Sequence, residues 1–194
     1  MQVLRDICVY CGSANEVDPR FRQAATALGR RFAEAEVGLV YGGGRVGLMG
    51  EVADGVLAAG GRVTGIIPSH LHDREVAHPG VTDLLVVGSM HERKMLMAER
   101  ADGFVVLPGG YGTLDEMFEV LTWRQLGLHD KPIVIANLFG YWDGLVALLG
   151  EIRARGFAGP KPRQLFDVVS HVEDILPALH REPPPPVALE TKWS

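Results

Sequence analysis

GFVVLPGGYGTLDEMFEVL, residues 103 to 121, joins a short apolar run to a segment with apolar residues at helical spacing. The run at 103–107 is typical of a buried strand, and the segment after residue 113 is typical of an amphipathic helix. The glycines between them therefore lie in a strand-to-helix turn. Backbone N–H groups in such a turn and at the helix start have no acceptor within the chain, and they suit an anion.

The same residues permit a second interpretation, in which the turn only caps the helix. Thr113 and Glu116 stand three residues apart at the predicted helix start, which is the spacing of a capping box. In a capping box both side chains bond to backbone N–H groups, and no ligand is needed. The turn by itself does not decide between an anion site and a helix cap.

Strand-like and helix-like segments alternate along the rest of the chain. The other strand-like runs are ICVYC (7–11), VGLVYG (37–42), RVTGIIP (62–68), LLVVG (84–88), PIVIAN (132–137) and the weaker LFDVV (165–169). The helix-like segments are 21–35, 47–60, 90–101, 113–127 and 141–156. Apolar strands that alternate with helices favour parallel, right-handed crossovers. The sequence predicts an α/β fold, a doubly wound parallel sheet with helices on both faces, which binds ligands beyond the strand carboxyl ends.

Length and composition favour one domain that binds small molecules. The chain has 194 residues, 47% of them hydrophobic, and we expect a single α/β domain over 1–180. The Pro-rich residues 181–194 are expected to form a flexible tail outside it. A net charge of −5 disfavours a broad surface for nucleic acid or anionic membrane, so neither is an expected partner.

The two cysteines and the chain start bear on location. Cys8 and Cys11 form a CxxC, but alternation along a strand would point them to opposite faces, which disfavours a disulfide or metal site. We expect buried or semi-buried free thiols. The opening MQVLRD lacks the apolar segment of a signal peptide, and no apolar run approaches the roughly 20 residues of a membrane span. We therefore expect a cytoplasmic protein.

Three glycine-rich stretches each follow a predicted strand, at 11–13, 41–50 and 108–113. They are expected to line one edge of the sheet with backbone. GxGxxG is absent after the first strand, and GxxxxGK[ST] is absent throughout. A monophosphate therefore suits these turns better than a pyrophosphate or a triphosphate.

The segment MHERK, 90–94, places two cations at a predicted helix start. A solvated helix face is the ordinary explanation for such charges. However, Arg93 and Lys94 oppose the helix dipole there, unless an anion such as Glu116 or a bound phosphate lies nearby. His78 and His91 lack the spacing of metal ligands, so we expect neither a metal nor a cofactor.

YGGGRVGLMG (41–50), MHERK (90–94), PGGYGTLDE (108–116) and TWRQLGLHDKPI (122–133) together resemble the LOG ("Lonely guy") family of cytokinin riboside 5′-monophosphate phosphoribohydrolases, which are also labelled lysine decarboxylases. The resemblance covers about residues 5–180. It implies a Rossmann-like fold, a homodimer and hydrolysis of the N-glycosidic bond in adenine-type nucleoside 5′-monophosphates. A non-catalytic nucleotide or cofactor carrier of the same fold is the alternative.

Carried over position by position, the resemblance implies a catalytic pair, Arg93 and Glu116. It also implies a set of substrate-binding residues: Glu75, Lys94, Gly109, Gly110, Tyr111, Gly112, Thr113, Leu114, Asp115 and Thr122, with Gly43 and Gly44 facing the same pocket. Arg45 and the pair 88–89 depart from the family pattern, and they bear on base preference. The subunit contact is expected on the apolar residues around MHERK and the following helix, with core packing as the alternative: Met95, Met97, Phe118, Leu121 and Trp123.

Overall fold

A parallel sheet organises the chain. The computed structural model describes residues 4–72, 77–158 and 165–181. Its strands are β1 (Asp6–Tyr10), β2 (Gly38–Tyr41), β3 (Val63–Pro68), β4 (Asp83–Val87), β5 (Gly103–Val106), β6 (Ile133–Ala136) and β7 (Asp167–Val169). They lie in the order β4-β3-β2-β1-β5-β6-β7, and every neighbouring pair is parallel. All seven predicted strands are confirmed.

Helices connect the strands: α1 (Pro19–Glu34), α2 (Gly47–Ala58), α3 (Ser69–His72), α4 (Met90–Arg100), α5 (Tyr111–Gln125), α6 (Asp143–Ala154) and α7 (Ile175–Leu179). Short 3₁₀ turns lie at Leu138–Gly140 and Val172–Asp174. The five predicted helices are present. The sequence pattern did not indicate α3 and α7, because four or five residues are too few to show a helical period.

The helices cover both faces of the sheet, as the predicted fold class requires. Side chains of α1, α2 and α7 join one buried cluster, and those of α4, α5 and α6 join the other. Cys8 and Cys11 are buried free thiols in opposite clusters, which confirms the prediction from strand alternation. The described residues contain no helix long and apolar enough to cross a membrane. The predicted tail lies outside the described residues, apart from Arg181.

Core packing accounts for part of the apolar set that was predicted to form a subunit contact. Met97 and Leu121 are 1% and 7% exposed, because both lie on helix faces that pack against the sheet. Phe118 and Trp123 are partly buried against the same cluster. Met95 is 53% exposed. For Met97 and Leu121 the alternative of core packing is therefore correct.

The sheet order creates a crevice between β1 and β5. The chain runs outward from β1 to β4 and then returns to β5 on the other side of β1, so the loops after β1 and β5 diverge. Gly12 follows β1, and its N–H donates to the carbonyl of Pro108 after β5 at 3.0 Å. A Cβ on Gly12 would lie 3.1 Å from the Cα of Gly109. A residue larger than glycine would thus be tightly packed where the two loops come close together.

Candidate functional site

The helix after the PGGYGT turn begins without a side-chain cap. Helix α5 starts at Tyr111, and its N-cap residue is Gly110, which has no side chain that could bond to the first N–H groups. Thr113 is thus the third residue of the helix, and Glu116 lies in the second turn. The capping-box interpretation of these two residues is wrong. The first N–H groups of α5 therefore receive no bond from the side chain of the N-cap residue, and N–H groups at such a helix start suit an anion.

A capping pair does exist, but at the start of α4. The Ser89 hydroxyl accepts the N–H of Glu92 at 3.1 Å, and the Glu92 carboxylate accepts the N–H of Gly88 at 2.8 Å. The S-x-x-E spacing at 89–92 was available in the sequence as a capping signal. Glu92 therefore has the structural role that was considered for Glu116.

The glycines of the turn allow close packing on one side and leave space on the other. A Cβ on Gly109 would lie 2.0 Å from the Thr113 hydroxyl, and Thr113 is 3% exposed. A Cβ on Gly110 or Gly112 would meet nothing within 4 Å. The Thr113 side chain thus packs closely against Gly109, whereas the space beside Gly110 and Gly112 leaves the helix start open to a ligand.

A cavity of about 430 Å³ adjoins this turn at the β1–β5 crevice. It is lined by Gly12, Ser13, Ala14, Val17, Asp18, Phe21, Leu48, Pro108, Gly109, Gly110 and Tyr141. The hydroxyl of Tyr141 donates to the carbonyl of Gly109 at 2.7 Å. Tyr141 could not be found from the sequence, because this residue follows β6 and lies far along the chain from the turn.

Arg93 is buried, although it belongs to a charged helix start. It is 5% exposed, and its guanidinium donates to the carbonyls of Ile66 at 3.2 Å and Gly42 at 2.9 Å. A Cβ on Gly42 would lie 2.0 Å from a terminal guanidinium nitrogen of Arg93. The first of the YGGG glycines therefore makes room for this cation at the carboxyl ends of β2 and β3. A solvated helix face does not describe Arg93.

The charges of Arg93 and Glu116 affect the pKa values of the same buried side chains on and next to β1. Burial raises the pKa of the Cys8 and Cys11 thiols, the negative charge of Glu116 raises both further, and Arg93 lowers both. Burial likewise raises the pKa of Tyr10, with Cys8 and then Glu116 adding to the shift. The charges of Arg93 on α4 and Glu116 on α5 therefore both reach the buried thiols on and next to β1, and the catalytic role of this pair stays a prediction.

Lys94 is held by acids of the neighbouring helix. Its ammonium lies 3.0 Å from the Asp115 carboxylate and 3.3 Å from that of Glu119, and its side chain is 12% exposed. Burial lowers the pKa of Lys94, but the hydrogen bonds to the two carboxylates outweigh burial and raise it. Lys94 is a protonated link between α4 and α5, and this link includes Asp115 of the predicted substrate-binding set.

The other two glycine stretches mainly hold the site together. The carbonyl of Gly43 accepts the N–H of His78 at 3.0 Å, and Gly44 forms a bridge with Ala77. At the start of α2, the N–H of Gly47 donates to the side chain of Asn15 at 2.8 Å, and that of Leu48 donates to the carbonyl of Gly12 at 2.9 Å. The three glycine stretches were expected to line one edge of the sheet with backbone. Two of them are instead occupied by contacts within the chain, and the start of α5 is the one left open to a ligand.

One predicted substrate contact, Thr122, does not lie at the turn. Thr122 lies six residues beyond Glu116, about 9 Å along α5 and about 120° around its axis. Its hydroxyl donates to the Phe118 carbonyl at 2.7 Å, and it lines a groove of about 490 Å³ between α5 and α6. Glu75 lies outside the described residues. The substrate roles of both residues stay predictions.

The histidines do not form a metal site. His78 is 7% exposed; its Nε2 bonds to Asp54 at 3.0 Å, and its Nδ1 accepts the N–H of Gly80 at 3.1 Å. His91 is exposed. Over the ranges 4–72, 77–158 and 165–181, no group of three or more His, Cys, Asp or Glu side chains is placed to hold a metal ion. His78 instead fixes the segment that packs on the glycine stretch after β2.

The sequence of this chain is similar to the sequences of known enzymes. Residues 49–179 match the sequence model of a family described as "possible lysine decarboxylase". A protein of Oryza sativa subsp. japonica named a probable cytokinin riboside 5′-monophosphate phosphoribohydrolase is 50% identical over 84% of this chain and 71% of its own length. An Arabidopsis thaliana cytokinin riboside 5′-monophosphate phosphoribohydrolase is 40% identical over 92% of this chain and 82% of its own.

Solved structures share the fold at lower identity. The molybdenum cofactor carrier protein of Chlamydomonas reinhardtii has a TM-score of 0.71 at 22% identity, covering 90% of this chain and 94% of its own. The molybdenum cofactor binding protein of Rippkaea orientalis has a TM-score of 0.68 at 23% identity, covering 91% and 96%. At these identities the likeness concerns the arrangement of strands and helices.

Proposed function

We propose that this chain hydrolyses adenine-type nucleoside 5′-monophosphates, because it belongs to the family of cytokinin riboside 5′-monophosphate phosphoribohydrolases. The same family is also described as possible lysine decarboxylases. The N-glycosidic bond breaks, and the products are the free base and ribose 5-phosphate. The observation that carries the proposal is the uncapped start of α5 beside Arg93 and Glu116. It supplies an anion site and a cation–carboxylate pair at one end of β1.

Each part of the site has a task in this reaction. The N–H groups at the start of α5 bind the 5′-phosphate, and this remote binding energy orients C1′ of the ribose. Glu116 stabilises the oxocarbenium character that develops as the glycosidic bond breaks, and it accepts a proton from the attacking water. Arg93 stabilises negative charge on the departing base, since a guanidinium attracts charge but does not release its proton.

The lysine decarboxylase description does not suit the described lysines. Such chemistry needs an uncharged amine that forms a Schiff base with pyridoxal phosphate. Lys94 is instead paired with Asp115 and Glu119, and its pKa is raised by these hydrogen bonds against the effect of burial. Lys131 donates to the carbonyl of Ala98 at 2.8 Å at the end of α4. Lys94 thus links α4 to α5, and Lys131 links the segment before β6 to the end of α4.

A non-catalytic carrier is the second candidate, because the fold is shared with carriers of molybdenum cofactor. A carrier would bind AMP without turning it over. Incubation of the protein with AMP, followed by chromatography for adenine and ribose 5-phosphate, separates the two. Stoichiometric release of both products supports the hydrolase, whereas bound and unchanged AMP supports the carrier.

The 5′-monophosphate is expected to be required for turnover. Compared with AMP, adenosine should have a kcat/KM lower by about 10³ or more, since it lacks the group that the start of α5 binds. ADP and ATP should also be poor substrates, because the apolar cavity beside the turn offers no lysine of the P-loop type. Steady-state kinetics across nucleosides and their mono-, di- and triphosphates test this, and equal turnover of adenosine and AMP would contradict it. Isopentenyladenine nucleotides in the same panel decide the base preference.

The active species is expected to be a homodimer. In this dimer, the groove between α5 and α6 is expected to lie near the second copy of the chain. Thr122 lines that groove and cannot share a face of α5 with Glu116. If Thr122 contacts the nucleotide as the family resemblance implies, the contact comes from the partner chain. Sedimentation at micromolar concentration should give a dimer, and Thr122→Arg should shift it toward monomer. A wild-type monomer at that concentration would contradict the prediction.

A cytoplasmic location also stays a prediction, which the two free thiols support.

A further inference from the structure

Tyr141 contacts the proposed phosphate-binding turn from another part of the chain. It lies between β6 and α6, and its hydroxyl donates to the carbonyl of Gly109 at 2.7 Å. The side chain is 46% exposed, so burial alone does not explain a tyrosine at this position. We propose that Tyr141 is a positioning residue, which fixes the direction of the turn's N–H groups and thereby sets the affinity for the 5′-phosphate. The inference rests on the proposed function, in that it takes the start of α5 as the phosphate site.

The peptide between Gly109 and Gly110 transmits this effect. The bond is trans, so the N–H of Gly110 points opposite to the carbonyl of Gly109 in the same plane. Two consecutive glycines have wide conformational freedom, and open space surrounds Gly110. A hydrogen bond on the carbonyl therefore determines where the N–H points. It also polarises the peptide and strengthens that N–H as a donor.

Aromatic contacts hold the Tyr141 ring in place. Its centroid lies 5.5 Å from that of Phe21 and 4.7 Å from that of Trp142, both in edge-on geometry. Phe21 also makes an edge-on contact with Phe139 at 5.5 Å. The ring thus connects α1 to the segment after β6. Residues of both elements line the cavity beside the turn. Such contacts restrict the ring to an orientation that reaches Gly109.

The backbone before Tyr141 is strained and tied down. Phe139 adopts a left-handed conformation with φ of 55°, which a bulky residue rarely does. The Asn137 side chain accepts the N–H of Trp142 and donates to Asp143, each at 2.7 Å. A strained segment that is fixed by specific bonds beside a ligand site is typical of a positioning element.

The test is the Tyr141→Phe variant, which removes the hydroxyl and keeps the ring. We expect KM for AMP to rise about tenfold with kcat within about twofold, because the lost interaction serves binding in both ground and transition states. The Kd for ribose 5-phosphate, measured by calorimetry, should rise by the same factor. Phe21→Leu keeps the hydroxyl but loosens the ring, and should shift both constants in the same direction by less.

The matched control is Thr26→Val, which removes a hydroxyl hydrogen bond of 2.9 Å to Glu51 far from the turn. Its KM and Kd should equal those of the wild type. Unchanged KM and Kd in Tyr141→Phe would overturn the proposal, and so would a lower thermal midpoint with no change in either constant. If the wild type binds ribose 5-phosphate but hydrolyses no nucleotide, the proposed function fails and the Kd comparison still decides the role of Tyr141. If it does not bind ribose 5-phosphate, both fail.

Discussion

Glu116→Gln is expected to lower kcat for AMP by about 10² to 10⁴, while the affinity for AMP stays within a few-fold of the wild type. A neutral amide cannot stabilise an oxocarbenium ion by charge or accept a proton from water. The proposed phosphate contacts at the start of α5 should remain, because Glu116 lies in the second turn of that helix. Single-turnover kinetics and AMP titration of the same preparation measure the two effects separately.

Glu92→Gln provides the matched control for this variant. Both residues are glutamates near the start of a helix, and the Glu92 carboxylate accepts the backbone N–H of Gly88 at 2.8 Å. Its replacement should cost at most about 1 kcal/mol of stability and leave kcat near the wild-type value. Near-normal turnover in Glu116→Gln would contradict the catalytic assignment and leave the acid of the reaction unidentified.

The strands could be predicted from sequence because parallel strands that are buried on both faces read as unbroken apolar runs. Helix starts were harder to place. Helix α5 begins at Tyr111, two residues before its predicted start at Thr113, because the glycine-rich residues there carry no apolar period. The capping signal was assigned to Thr113 and Glu116, although the spacing is equally present at Ser89 and Glu92. Only the observed start of each helix distinguishes the two pairs.

The supporting contacts of the site could not be predicted, since each joins residues far apart in sequence. Arg93 has the pattern of a solvated helix face, and its burial depends on the carbonyls of Gly42 and Ile66. Tyr141 reaches Gly109 across the crevice from the far side of β6. In contrast, the resemblance to the family motifs did point to Arg93 and Glu116, whose catalytic role stays a prediction. Sequence therefore indicated the charged pair, and the structure shows what holds Arg93.

The dependence of Arg93 on a glycine leads to the second large effect. Gly42→Ala is expected to fold and yet to lower kcat by about 10² or more, similar to the loss of a charge-stabilising group in other enzymes. The added Cβ would lie 2.0 Å from the Arg93 guanidinium and 3.3 Å from the sulfur of Met49. Both are far ends of flexible side chains, so the fold can adapt. The guanidinium then leaves its bond to the Gly42 carbonyl and its place beside the carboxyl end of β1.

Two comparisons make the Gly42→Ala result specific. Gly144→Ala adds the same methyl group in α6, where a Cβ would meet nothing within 4 Å, so kcat should not change. Arg93→Ala removes the cation itself and should lower kcat at least as much as Gly42→Ala. Normal turnover in both Arg93→Ala and Gly42→Ala would contradict a catalytic role for Arg93. If Arg93→Ala is inactive and Gly42→Ala is not, the cation is needed but its observed anchoring is not. The expected result, a folded Gly42→Ala protein with Arg93 present and turnover lost, would show that the YGGG stretch serves catalysis by placing the guanidinium.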